Sequence, residues 1–593
     1  MKPFFTLLSI FATFLITSYL YIDNFSINVI GLTQELLILF MAISLILFIK
    51  NSKIKIILTT TVLLAYYLVF ITQIVSIKIT GTSLNTASIA NAGQFMLLLN
   101  STMLLNIVLF TAIFIALFKL LTITIKNITL FKNISLLIVI LSSYVWLLQY
   151  KHKLGKITTF MPAKEFYEVA NLFYSLGNSK AITLNKTDIK IAKEFNININ
   201  LDRKKPLKRD YLYKNNFPYK QINSQKPNVI IFFIESLSAR LLSPYNTNIK
   251  GVTPNINSFA KESMVIDGYY NHATPTAPAL YGQHCSLFPL LTYNDFNKDN
   301  NPLKPLDLKC IPQYFNKANY KTVYLSHSRE TYSHIEENLK LWGYKELYMW
   351  KNLLKKLLPK DKELILGETG LSDHQMMRAV VNYLKNSSNK EPFFMGISTI
   401  ESHVGFEPNS VDGLKYKDGS SNTLNMIYNL DDSFGIFWNY FKRSKYYKNT
   451  IVVLTGDHAL YPNIDYKKVA SKDWVPSVYD KLSLIIYDPI HKHPAKFTTN
   501  SSSVDLAPTL AHLAHLAKDQ ENSFLGTSIF DNKEYNSSFG ISAYPDFNFY
   551  ISQNNRVTNK KLKEHNSKNI LQKYNSLKKL MIYSKYLQKS GNF

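Results

Sequence analysis

Residues 227–240 read PNVIIFFIESLSAR, and residues 450–460 read TIVVLTGDHAL. Both are short apolar runs, rich in β-branched or aromatic residues, that stop at an acid. A run of that length bounded by turn residues predicts a strand buried on both faces, the kind that parallel sheets use. TVYLS at 322–326, FFMGIST at 393–399 and LSLIIY at 482–487 have the same character. Helical patterns lie between them, among them HQMMRAVVNYLKN at 374–386. This alternation predicts an α/β domain with a mostly parallel central sheet. In open sheets of this class the chemistry gathers at the carboxyl ends of the strands.

The residues at those ends are informative. Glu235 directly follows Val229–Ile234, and an acid placed there is costly unless it is paired or binds a metal. The run at 450–456 leads straight into Asp457 and His458. Two carboxylates and an imidazole on neighbouring strands suit a divalent cation. Taken singly, each has a plainer reading, Glu235 as a helix cap and Gly-Asp-His as a turn. A loop at 272–289, HATPTAPALYGQHCSLFP, supplies a nucleophile candidate in Thr276. Its hydroxyl opens a segment that can run as a helix, where free backbone N–H groups favour developing negative charge. Metal coordination would activate it, and a simple helix cap is the alternative. His327 follows the strand TVYLS, and His403 lies just beyond FFMGIST. Either could hold a phosphate oxygen or move a proton.

The chain has 593 residues with 67 Lys+Arg and 41 Asp+Glu, so the balance is 67 − 41 = +26. Hydrophobic residues make up 47% and charged residues 18%, which excludes a solvated disordered chain. Much of the apolar content sits at the front. Residues 3–22, 56–77, 95–118 and 133–150 carry no charge, and 30–49 carries only Glu35. A bilayer core takes roughly 20 apolar residues per helix, so residues 1–150 read as a five-helix transmembrane domain. The first segment lacks a small-residue cleavage site and reads as a retained anchor. Lys2, Lys50, Lys53, Lys55, Lys119, Lys126 and Lys132 mark the inner loops. Everything after residue 150 is then expected outside a bacterial cytoplasmic (inner) membrane, facing the periplasm or the exterior.

Residues 151–225 form a basic helical connector, 226–550 the catalytic α/β domain, and 551–593 a basic amphipathic tail. The segment 559–593 has nine Lys and one Glu, with Ile570, Tyr574, Leu577 and Met581 at helical spacing. Packing on its own domain and contact with a membrane are both open for it. On the oxidising side of the membrane Cys285 and Cys310 read as one disulfide, with two free buried thiols as the alternative. The positive charge there points to anionic lipid and lipopolysaccharide rather than to nucleic acid.

These residues, in this order, resemble the alkaline-phosphatase/sulfatase superfamily. They look most like its membrane-anchored phosphotransferases: the lipoteichoic acid synthases, osmoglycan phosphoglycerol transferases and lipid A phosphoethanolamine transferases. PNVIIFFIESLSARLL, VTPNINSFAKES, Thr276 in TPTAP, LTGDHAL and SSVDLAPTLAHLA carry the likeness. It implies a divalent metal (Mn, Mg or Zn) held by Glu235, Thr276, Asp457 and His458. It makes His403 a substrate-binding residue, although Gly405 stands where relatives often have Pro. His327 is a looser match. A sulfatase would need Cys or Ser in Cys/Ser-x-Pro-x-Arg, and the matching segment here is Thr276-Ala-Pro-Ala-Leu.

The expected activity is transfer of a phosphorylated head group (phosphoglycerol or phosphoethanolamine) from a phospholipid donor to an envelope glycan or glycolipid. Thr276 would carry the group as a phospho-threonine. Two rivals stay open: a membrane-anchored hydrolase of phosphate, phosphonate or sulfate esters, and a non-catalytic envelope protein.

Overall fold

A computed structural model describes residues 184–194, 211–287, 309–328, 334–361, 371–387, 391–403, 413–461, 464–470 and, almost continuously, 480–531. It also describes three strands within 537–558 and single positions at 46–64 and 572–580. The five expected spans lie outside these residues apart from those few positions. Among the described residues no helix is long and apolar enough to cross a membrane. The chain divides into two compact units, Met1–Ser179 and Lys180–Phe593. In the first, positions 53–55 and 57–59 are helical.

The second unit is built on an eight-stranded sheet. Its strands are β1 (Asn228–Ile234), β2 (Met264–Tyr270), β3 (Lys321–Ser326), β4 (Glu346–Tyr348), β5 (Phe393–Ser398), β6 (Thr450–Gly456), β7 (Leu484–Tyr487) and β8 (Lys496–Ser502). They lie in the order β4-β3-β5-β1-β6-β7-β2-β8. Every pairing is parallel except the two made by β7, which runs against β6 and β2. The α/β domain with a mostly parallel sheet is therefore present as expected. A separate antiparallel sheet contains β9 (Ser537–Gly540), β10 (Phe549–Ser552) and β11 (Asn555–Thr558).

The helices are α1 (Lys186–Glu194), α2 (Pro254–Lys261), α3 (Thr276–Cys285), α4 (Ile311–Lys317), α5 (Ile335–Trp342), α6 (Trp350–Leu357), α7 (Asp373–Asn386), α8 (Asn422–Phe441), α9 (Ile464–Val469) and α10 (Leu506–Leu513). Side chains of β1 alternate between two cores. Ile231 and Phe233 join a cluster that includes residues of α3, α4 and α10. Ile230, Phe232 and Ile234 join another with residues of α2, α7 and α8. Burial on both faces is why the strand reads as an unbroken apolar run. The site helix α3 thus packs on one face of the central strands.

Residues 211–222 of the connector bind along this unit. Leu212 N–H donates to Lys518 O at 3.0 Å, and Ile222 N–H to Ile490 O at 2.7 Å. Tyr213 stacks on His512 with ring centroids 4.2 Å apart. In the C-terminal tail Leu580 is buried in the core, and Ser576 Oγ and Lys579 Nζ both bond Asp188 of α1. At these described positions the tail packs on its own domain.

At Gly396 of β5 an added Cβ would meet the Tyr324 ring at 2.6 Å and Tyr344 Oη at 2.7 Å. Overpacking of this kind typically costs about 1–3 kcal/mol. Gly396→Ala is therefore expected to lower the apparent Tm of the full chain in thermal unfolding.

Candidate metal centre and nucleophile

Strands β1 and β6 pair with Ile234 opposite Gly456, so the next residue on each, Glu235 and Asp457, emerge side by side. Both are buried, as is His458. One ligand atom from each of the three lies within 4.8 Å of the others. His458 Nε2 is 3.5 Å from Glu235 Oε1 and 3.7 Å from Asp457 Oδ2. The Nδ1 of His458 faces Ala459 O at 2.9 Å. A proton on Nδ1 satisfies that carbonyl and leaves the Nε2 lone pair turned to the acids, as in a ligating imidazole.

Thr276 is the first residue of α3, and Pro275 holds the cap position. The Thr276 hydroxyl donates to Glu235 Oε2 at 3.2 Å and lies 3.5 Å from His458 Nε2. It therefore does not cap its own helix, which was the plainer reading of this residue. Far along α3, Gln283 Nε2 donates to Asp457 O at 2.7 Å and to Gly456 O at 3.0 Å. Cys285 ends the helix and is joined to Cys310, the cap residue of α4, by a disulfide with S–S 2.04 Å.

Burial would raise the carboxyl of Glu235, but the His403 and His458 charges and the Ser236 hydroxyl outweigh it and hold the group below its usual range. Burial and the Glu235 charge push Asp457 up to about 7. For His458 burial works downward, and the two carboxylates override it and raise the imidazole. Two acids this close resist ionising together. Asp457 Oδ2 is buried with no hydrogen-bond partner. An orphaned carboxylate oxygen among buried acids is a donor set that a dication satisfies, so the residues present fit a divalent metal.

His327 and His403 line the same cleft as Glu235, Thr276 and Asp457. Burial brings His327 down to about 4, and it is neutral near pH 7. The structure thus brings all six polar candidates to one end of the sheet.

Several neighbours escaped the sequence reading. Ser236 N–H donates to Asp457 Oδ1 at 2.8 Å, and its hydroxyl to Glu235 Oε1 at 2.7 Å. Glu235 N–H donates to Thr399 Oγ1 at 3.3 Å, and Ser402 Oγ to Glu235 O. Beneath α3 the His272 ring occupies the space a Cβ on Gly282 would need, 1.6 Å from Nε2. Adjacency to Glu235 was the one signal for Ser236. Nothing local marks Thr399, Ser402 or His272.

Residues 227–516 match the protein family described as Sulfatase. The chain is 25% identical over 350 residues to lipoteichoic acid synthase 2 of Bacillus subtilis (strain 168), covering 56% of this chain and 50% of the relative. It is 23% identical over 320 residues to lipoteichoic acid synthase 1 of the same strain, covering 51% and 48%. The chain thus spans about half the length of the curated relatives it matches. Among solved structures, an alkaline phosphatase superfamily protein from Vibrio parahaemolyticus superposes with TM-score 0.52 at 16% identity, covering 69% of this chain and 97% of that one. The lipoteichoic acid synthase LtaP from Listeria monocytogenes gives TM-score 0.51 at 16% identity, covering 68% and 98%. These two show the fold.

Glu235→Gln and Asp457→Asn each remove an anionic donor from the buried set. Metal content of purified variants is expected to fall well below one equivalent relative to the parent, with the overall fold kept by circular dichroism. Unchanged metal content in both would reject the centre.

Proposed function

Because this chain belongs to the alkaline-phosphatase/sulfatase superfamily, with its sulfatase domain at 227–516, we propose that it transfers a phosphorylated head group from a phospholipid to an envelope glycan or glycolipid. The observation that carries this reading is the Thr276 hydroxyl, aimed at Glu235 Oε2 and beside His458 at a cleft lined by His327 and His403. The two Bacillus relatives named for lipoteichoic acid synthesis support a lipid-linked envelope product. Threonine in place of the Cys or Ser that formylglycine formation requires speaks against sulfate esters.

Glu235, Thr276, Asp457 and His458 would hold the metal. When bound, a divalent cation lowers the pKa of the Thr276 hydroxyl and offsets charge on the phosphoryl oxygens. In the first half-reaction Thr276 Oγ1 bonds to phosphorus and the bond from phosphorus to the diacylglycerol oxygen breaks. Thr276 gives up its proton along the existing hydrogen bond toward Glu235, and that proton ends on the departing diacylglycerol oxygen. In the second, an acceptor hydroxyl oxygen attacks phosphorus, the bond to Oγ1 breaks, and the acceptor's proton ends on Oγ1. His327 and His403 face the space where the phosphoryl oxygens would lie and serve to orient them and pass protons. The disulfide and Gln283 keep α3 rigid while its first residue reacts.

The five N-terminal segments belong to the same reading: they hold the catalytic body on the outer side of the cytoplasmic membrane, beside its lipid donor.

Thr276→Ala is expected to lower turnover by about a thousandfold or more with the Tm unchanged, since the hydroxyl acts in chemistry and not in capping. Near-normal activity would sink the covalent mechanism. Full-length protein with phospholipid vesicles is expected to release diacylglycerol, and EDTA to stop the release until Mn, Mg or Zn is restored.

A further inference from the structure

The turn that follows β7 lies far from the cleft. Tyr487, the last residue of β7, pairs with Val452 near the start of β6, about 16 Å along that strand from Asp457. Asp488 and His491 are buried in the turn, and His491 Nδ1 meets Asp488 Oδ2 at 2.7 Å. A fully buried carboxylate takes the ring proton, so the proton sits on Nδ1 and the Nε2 lone pair points the other way. Opposite it stands His515, just beyond the end of α10, with its Nε2 2.7 Å from that of His491. The rings are tilted by 54° with centroids 4.9 Å apart, and Phe217 of the connector packs on His491 at 4.2 Å.

The proton joining the two rings is therefore the one on His515 Nε2. His515 is exposed, so that proton can pass to Nδ1 through water. Two Nε2 lone pairs then face one point. An imidazole held at its other nitrogen by a carboxylate is the arrangement of a metal-ligating histidine. Nitrogens bound to one ion at roughly 2.0–2.1 Å lie about 2.9 Å apart at a right angle and about 3.3 Å apart at the tetrahedral angle. The pair needs to spread by only about 0.2 Å to hold a tetragonal ion, the geometry of Cu(II) and Ni(II).

We propose that His491 and His515 form a second metal site, for a nitrogen-seeking divalent transition ion with Cu(II) the best fit, and that Asp488 orients His491 within it. Water completes the coordination on the exposed side of His515. The donors differ in kind from the oxygen-rich set at Glu235 and Asp457, so the two sites select different ions. A bound ion joins the turn after β7 to the end of α10. The connector crosses both segments, since Ile222 N–H donates to Ile490 O at 2.7 Å and Tyr213 Oη to Leu516 O. The site makes no use of the transfer reaction proposed above.

The test titrates full-length protein, held in excess Mn2+, with Cu2+ under calorimetry and electron paramagnetic resonance. The parent is expected to take up one equivalent more than His515→Gln, at low micromolar affinity or tighter, with hyperfine splitting from two imidazole nitrogens. Asp488→Asn is expected to weaken that equivalent about tenfold. Cu2+ is expected to raise the Tm of the parent and not of His515→Gln, because an ion that binds the folded state stabilises it. His493→Gln serves as a control, since this exposed neighbour faces its own Pro494 O, and it is expected to keep the extra equivalent. Equal uptake by the parent and by His515→Gln would overturn the site. So would an extra equivalent that Glu235→Gln abolishes, which would place the copper at the catalytic centre.

Discussion

Two acids emerge next to each other in the dry end of the sheet because β1 and β6 are paired and each delivers its carboxylate immediately after its last ladder residue. That juxtaposition is expensive in the absence of a cation, as the elevation of Asp457 to about 7 shows. The surroundings are arranged to offset it. Asp457 Oδ1 takes the backbone N–H groups of Ser236 and His458, and Glu235 takes the hydroxyls of Ser236 and Thr276. Each is a polar group whose place follows from the two carboxylates. A sheet that ended in neutral residues would need none of them.

Helix α3 answers to the same constraint. Its first residue touches Glu235, Gln283 anchors it to the end of β6, and Cys285 ties its last turn to α4. His272 fills the gap left by Gly282 and is held at Nδ1 by Ser503. A hydroxyl on a flexible loop would spend much of its time away from the two acids. With its helix held at several points, that of Thr276 keeps its place beside Glu235.

The central strands β1, β3, β5, β6 and β7 were legible because burial on both faces writes an unmistakable apolar run. Strands β2, β4 and β8 were not. MVIDGYY contains a register irregularity at Asp267/Tyr269, ELY is too short, and KFTTNSS is polar and only partly buried over most of its length. The site was legible where chemistry interrupts such a run, at Glu235, Asp457 and His458. Thr399, Ser402 and Gln283 make their contacts across 164, 167 and 174 residues of sequence, through side chains too common to signal anything locally.

The strap at 211–222 bears on how the protein is made. Its partners, from Ile490 to Asp531, are nearly the last part of the body to be synthesised, and Asp531 alone accepts the N–H groups of Lys214 and Asn215. Strand β1 likewise waits for β5 and β6. A chain growing from its amino end therefore carries Tyr213 and Phe217 without His512 and Phe530 through some three hundred residues of elongation, and β1 without β5 and β6 until Phe393 and Thr450 are reached. Contacts so distant in sequence make piecewise folding ineffective. The central sheet can close on both sides of β1 only after β6 has been made, and until then the apolar faces of that strand lack their native cover.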